Sequence, residues 1–160
     1  MDSVAGEGTT VRIELPVTRT SVSDAPPSTP PSHPTAGRVL VMDDEPAVRS
    51  TAGALLRQLG YAVELAEHGE QAVTLWRAAQ ERAHPFDLVI LDLTVRDGMG
   101  GIQALHALRT LCPEVIAVAS SGYTDDPVLL DPPRHGFQGA LVKPYRLADL
   151  QASLAKALER

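Results

Sequence analysis

At 160 residues and 44% hydrophobic content, the chain holds one ordinary globular domain with some length to spare. A formal net charge of −6 with no Lys/Arg cluster argues against a nucleic-acid surface, and with no helix-turn-helix or other DNA-reading pattern among these residues no direct DNA binding by them is expected. The single Cys112 excludes an internal disulfide, while the lack of a signal peptide or of any apolar run near the roughly 20 residues of a membrane span leads us to expect a cytoplasmic location without membrane contact.

Residues 1–17 read MDSVAGEGTTVRIELPV, in which Gly6 and Gly8 precede an alternating strand of Val11, Ile13 and Leu15 closed by Pro16. Seventeen residues cannot bury a core of their own, so this stretch is expected to be the severed end of a neighbouring domain. Residues 18–37 are rich in Pro, Ser and Thr, a composition that cannot offset chain entropy by burial, and they read as a linker. The expected domain is therefore 38–160.

From Arg38 onward, short aliphatic runs alternate with helical patterns, as in a parallel sheet covered by helices. The first run, Arg38 to Met42, ends on Asp43, Asp44 and Glu45, and Pro46 then opens a helix with Val48, Ala52, Leu55, Leu56 and Leu59 on one face and Gly60 as its stop. Tyr61 to Ala66 alternates as a second strand, and a helix from Gly69 carries Ala72, Leu75, Trp76 and Ala79. The third run, Leu88 to Leu91, is uninterrupted aliphatic residue that stops on Asp92, before a loop holding Asp97, Gly98, Gly100 and Gly101. Ile102, Leu105, Leu108 and Leu111 mark the third helix, with Cys112 expected as a small buried hydrophobe at its end. Val115 to Ala119 reads as a fourth strand ending on Ser120, Ser121 and Gly122. Asp125, Asp126 and Pro127 start a helix that Pro132 and Pro133 must cut to about one or two turns. Ala140 to Val142 is a brief fifth strand before Lys143 and Pro144, and Leu147, Leu150, Leu154 and Leu158 form the last amphipathic helix. Five such units imply an α/β, doubly wound, five-stranded parallel sheet of order 2-1-3-4-5 flanked by five helices, with strands one and three adjacent at the switch point.

That adjacency brings Asp43, Asp44 and Asp92 toward one pocket at the carboxyl edge of the sheet, where ligands bind in open α/β folds. Crowded acids repel, each pair by roughly 4 kcal/mol at 4 Å and an effective dielectric near 20. A cation is the simplest remedy, and hard carboxylate oxygens suit Mg²⁺. Alone, Asp92 reads equally as a turn or cap residue, Lys143 as a surface residue beside proline, and Ser121 as a turn residue before glycine. Together at strand ends they form a set coherent for a phosphoryl acceptor: a carboxylate nucleophile, a cation, and a hydroxyl and an ammonium to hold the transferred group.

With DD at 43 and 44, LDLT at 91 to 94, SSGYTDDP at 120 to 127 and LVKPY at 141 to 145, the span 38–160 resembles the receiver domain of two-component response regulators, the CheY-like family. The resemblance implies that Asp92 takes a phosphoryl group from a phosphohistidine of a histidine kinase or phosphotransfer domain. It further implies that Asp44, Asp92 and the main-chain carbonyl of Thr94 ligate Mg²⁺, with Asp43 acting through water, and that Ser121 and Lys143 grip the phosphoryl oxygens. Activity is then limited to self-catalysed phosphotransfer and slow dephosphorylation. The switch would bias the face made by the fourth helix, fifth strand and fifth helix, the face through which a homodimer would form. AGEGTTVRIELP near the start is similar to the last glycine box and final strand of a sensor histidine kinase ATP-binding domain, which implies a hybrid kinase as parent. No kinase activity is expected here, and His106, within the third helix, lacks the acidic neighbour of a phosphoacceptor.

Two positions depart from the family pattern. Three residues before the lysine, where the family carries a switch aromatic, stands Ala140, with Tyr145 and Tyr123 as nearby substitutes; four residues after the acceptor, where proline is common, stands Arg96. Two rival readings are a degenerate receiver that only docks, without Mg²⁺-dependent labelling, and a haloacid-dehalogenase-type phosphatase. The latter wants a second Asp two residues after the first, where this chain has Thr94.

Overall fold

The computed structural model describes residues 2–4, 8–10 and 36–159. At the head of the chain β1 (Asp2–Val4) and β2 (Gly8–Thr10) pair antiparallel, with Asp2 opposite Thr10. The strand expected through Val11, Ile13 and Leu15, and most of the Pro-rich stretch, lie outside the described residues.

From Arg38 the elements follow in order as β3 (Arg38–Met42), α1 (Pro46–Gln58), β4 (Ala62–Ala66), α2 (Gly69–Glu81), β5 (Leu88–Asp92), α3 (Gly101–Leu111), β6 (Ala117–Ser121), α4 (Pro127–Leu130), a 3₁₀ turn (Pro132–His135), β7 (Gly139–Val142) and α5 (Leu147–Leu158). The last five strands form one parallel sheet of order β4-β3-β5-β6-β7, which is 2-1-3-4-5 counted within the domain. Among the described residues no helix is long and apolar enough to cross a membrane.

The two-residue period of the strands divides the core. Val39, Val41, Leu88 and Ile90 face α1 and α5, where Leu56, Leu150 and Leu154 meet them. Leu40, Met42, Val89 and Leu91 face α2 and α3, where Trp76, Leu105 and Leu108 close the other side. Every residue of β5 is buried, which is why its sequence shows no alternation. Burying each of these large aliphatic side chains contributes about 1.5–3 kcal/mol.

Local chemistry sets the ends of the helices. Pro46 sits in the first turn of α1, and Gly60 turns the chain out with φ +91°. Asp126 caps α4 by accepting the Val128 N–H at 2.9 Å, and the helix stops after four residues because Pro132 and Pro133 bring no N–H to extend it.

Three expectations need correction. β6 starts at Ala117 rather than Val115, because Val115 is buried from the preceding loop and not by strand pairing; Ser120 and Ser121 accordingly lie inside the strand. On α3 the buried stripe is Gly101, Ala104, Leu105 and Leu108, while Ile102 is 42% exposed. Cys112 caps α3 but is only partly buried, against the edge of the core.

Gly101 places α3 against the strand end that carries Asp92. A Cβ there would lie 2.6 Å from the Asp92 carbonyl oxygen and 3.2 Å from Leu91 Cβ, a collision with backbone that no rotamer relieves. Gly101→Ala should therefore destabilise the domain by about 1–3 kcal/mol, read as a lower urea midpoint. An unchanged midpoint would show that α3 can shift away without penalty.

Candidate functional site

The register of β3 and β5 pairs Met42 with Leu91, so the next step along each strand brings Asp43 beside Asp92. Asp43 is fully buried and Asp92 is 2% exposed, both at the carboxyl edge of the sheet. Asp44 stands half-buried at the rim. Oxygens of these three carboxylates all lie within 4.8 Å of one another. Lys143, which follows β7, reaches between them, its Nζ 2.7 Å from Asp43 Oδ2 and 2.8 Å from Asp92 Oδ2. The predicted convergence of the strand ends is thus present for Asp43, Asp44, Asp92 and Lys143.

Other groups fix this set. Asp43 Oδ1 accepts the Glu45 N–H at 3.0 Å, while the Asp43 main-chain carbonyl accepts from Arg49 Nη1 at 2.5 Å; Arg49 in turn pairs with Glu67 at 2.9 Å. Asp92 Oδ1 accepts the Thr94 N–H at 3.3 Å, and Asp44 Oδ2 accepts the Arg96 N–H at 3.2 Å. Beyond its ion pair with Lys143, Asp43 Oδ2 accepts no hydrogen bond.

Burial pushes the Asp92 carboxyl up from its ordinary range; Lys143 opposes that rise and the Asp43 charge adds to it. For Lys143, burial works against the ammonium, but its bonds to Asp43 and Asp92 outweigh that cost and hold its pKa above the usual lysine value. Three carboxylates facing one ammonium remain under-compensated when ionised. The donor set therefore fits a small divalent cation. Hard carboxylate oxygens with room for water are the donors Mg²⁺ takes.

Ser121 ends β6 fully buried, with its Oγ accepting the Tyr123 N–H at 3.1 Å, and its main-chain carbonyl accepts the Lys143 N–H at 2.9 Å. A main-chain link thus joins the two residues expected to hold the transferred group. Thr94 is exposed just after Asp92.

The two aromatic candidates separate clearly. Tyr123 is 64% exposed, whereas Tyr145 is 9% exposed and its hydroxyl sits 2.6 Å from Ser120 Oγ, one strand residue from Ser121. Burial is the first cause that pushes the Tyr145 hydroxyl up to about 12, so it stays neutral and able to donate. Tyr145→Phe removes this buried bond and leaves Ser120 without its partner. The expected loss is about 1–2 kcal/mol in urea unfolding, and a variant as stable as the wild type would show that Ser120 re-pairs elsewhere.

Arg49 and the Arg96 N–H were missed by sequence reasoning. For Arg49 the available signal was its place in the first turn and a half of a helix opening beside the acids; a main-chain N–H carries no sequence signal at all. His106 is exposed on α3.

Comparison with known proteins agrees with this geometry. The family model described as response regulator receiver domain matches residues 39–155. The transcriptional regulatory protein ZraR of Escherichia coli is 34% identical over 120 residues, 75% of this chain and 26% of that protein. The sensor kinase CckA of Brucella abortus is 29% identical over 168 residues, 99% of this chain and 17% of the relative. The chain thus spans about a quarter or less of these curated relatives. Among solved structures, the receiver domain of NtrX from Brucella abortus superposes with TM-score 0.66 at 26% identity, covering 76% of this chain and 98% of that one. The CheX–CheY complex with BeF3 and Mg²⁺ from Borrelia burgdorferi gives TM-score 0.69 at 21% identity over 78% and 90% of the two chains, a likeness of fold. With the match reaching all five parallel strands and every strand end that builds the acidic pocket, this chain belongs to the response regulator receiver domain family, a signalling module of two-component phosphorelays.

Proposed function

We propose that Asp92 is the phosphoacceptor of this receiver and that phosphorylation requires Mg²⁺. The observation that carries the reading is the meeting of Asp43, Asp44 and Asp92 around the Lys143 ammonium at one edge of the sheet. Asp44, Asp92 and the Thr94 carbonyl would hold the cation, with Asp43 acting through water. Bound Mg²⁺ supplies positive charge against the oxygens of the transferred group.

In the transfer a carboxylate oxygen of Asp92 attacks phosphorus while the P–N bond to the donor imidazole breaks, and the imidazole leaves with that electron pair. Lys143 now sits on Asp92 Oδ2 and is placed to exchange that contact for a phosphoryl oxygen. Ser121, whose carbonyl accepts the Lys143 N–H, would offer its hydroxyl to a second phosphoryl oxygen. Attack of water on phosphorus later releases phosphate and restores the carboxylate. Catalysis here consists of positioning and charge, so no separate enzyme activity is assigned to the chain.

The phosphodonor is proposed to be a histidine kinase or histidine phosphotransfer domain. A hybrid kinase parent is supported by the alignment to CckA over 99% of the chain, including the residues ahead of the receiver. On that reading residues 1–17 end a kinase ATP-binding domain, 18–37 link it, and 38–160 form the receiver.

Intact mass after treatment with acetyl phosphate tests the reading. Wild type should gain one phosphoryl group with Mg²⁺ and none after chelation, and Asp92→Asn should gain none in either case. Equal labelling with and without the cation would overturn the Mg²⁺ requirement, and no labelling of wild type would favour the degenerate receiver.

A further inference from the structure

The loop after Asp92, residues 93–100, contains Gly98 and Gly100 and no proline, a composition that by itself leaves a chain loose. At its start Leu93 N–H donates to the Ser120 carbonyl at 2.9 Å and Thr94 N–H to Asp92 Oδ1 at 3.3 Å, and its later part is tied down through the main chain at Arg96 and Met99. Arg96 N–H donates to Asp44 Oδ2 at 3.2 Å. Met99 N–H donates to Glu70 Oε2 at 3.0 Å, and the Met99 carbonyl accepts the Gly69 N–H at 2.8 Å, so the first turn of α2 closes two bonds on one loop residue.

The backbone is shaped for this approach. A Cβ at Gly69 would lie 2.7 Å from Met99 Cγ and 2.8 Å from its carbonyl oxygen. Gly98 takes φ +108°, open to glycine, and a Cβ there would stand 3.2 Å from Glu70 Oε2. His68 Nδ1 lies 2.9 Å from the same carboxylate oxygen. The bond from Met99 is also the first cause holding the Glu70 carboxyl below its ordinary range.

We infer that Glu70 is a positioning residue for the phosphorylation site: by fixing Met99 it holds the loop that presents the Thr94 carbonyl and the Arg96 N–H to the cation and to Asp44. The inference rests on the reading of Asp44 and Thr94 as cation ligands. Glu70 itself touches neither the acids nor the transferred group. Its effect passes along the backbone from Met99 to Arg96 and Thr94, and proline at position 96, having no N–H, would remove the bond to Asp44.

The test compares wild type, Glu70→Ala and Glu70→Gln by Mg²⁺ titration calorimetry and by amide hydrogen exchange of Arg96 and Met99 without Mg²⁺. Glutamine keeps an acceptor oxygen and alanine does not. Glu70→Ala should speed exchange at both amides and weaken Mg²⁺ binding roughly threefold to tenfold, the net size of one ordinary hydrogen bond, as suits a solvent-exposed carboxylate. Glu70→Gln should recover most of both effects. Wild-type exchange at Arg96 in the alanine variant would overturn the inference, as would unchanged Mg²⁺ affinity. If wild type binds no Mg²⁺, the ligand reading fails separately, and exchange at Arg96 still decides whether Glu70 holds the loop.

Discussion

Replacing Lys143 with methionine should destabilise the Mg²⁺-free protein by about 2–4 kcal/mol in urea unfolding. Methionine keeps most of the length of lysine, one atom short, but carries no charge, so Asp43 and Asp92, at 0% and 2% exposure, lose the ammonium that both contact. Removing one partner of a buried ionic group costs about 3–5 kcal/mol when the remaining charge is stranded. The smaller figure allows for protonation of one acid, which the already raised Asp92 carboxyl makes easier. Saturating Mg²⁺ should close much of the gap, because a divalent cation replaces the missing charge. A variant whose loss is the same with and without Mg²⁺ would mean that Lys143 matters for packing and not for charge.

Asp92→Asn is expected to move stability in the opposite direction. Without Mg²⁺ it should raise the melting temperature by several degrees, equivalent to about 1–2 kcal/mol, while abolishing phosphorylation. The amide removes a buried charge that repels Asp43, and Lys143 keeps Asp43 as its partner. The pH dependence follows from linkage. The folded pKa of Asp92 is raised by burial above the ordinary aspartate range, so its neutral form favours folding and that contribution is lost as pH rises through the raised value. The advantage of Asp92→Asn should therefore be full near neutral pH and shrink as pH falls through that window. A lower melting temperature for Asp92→Asn at neutral pH would contradict the crowded acidic pocket.

Much of this molecule is legible in its sequence because hydrophobic runs ending in acids state both burial and placement. Arg38–Met42 and Leu88–Asp92 are buried strands whose ends must lie at one sheet edge once they are neighbours, and the register makes them so. Where sequence misled, hydrophobicity was read as pairing. Val115 is 2% exposed without belonging to a strand, and Ile102 is exposed on a helix that buries Gly101 and Ala104 instead. Small residues pack closest and give the weakest hydrophobic signal. The lone aromatic question was half legible: Ala140 announced the missing ring, but only the fold shows Tyr145 turned in to Ser120 and Tyr123 turned out. The loop clamp was not legible, since its donors are main-chain N–H groups of Arg96 and Met99, which any residue but proline supplies.

The most direct test is to locate the modified side chain. Treating the phosphorylated protein with borohydride reduces an aspartyl phosphate to homoserine, and trypsin then separates the peptide 39–49, which holds Asp43 and Asp44, from 83–96, which holds Asp87 and Asp92. The account predicts homoserine at position 92 alone, and only when Mg²⁺ was present during phosphorylation. Homoserine in the 39–49 peptide or at position 87, or its appearance without Mg²⁺, would contradict it.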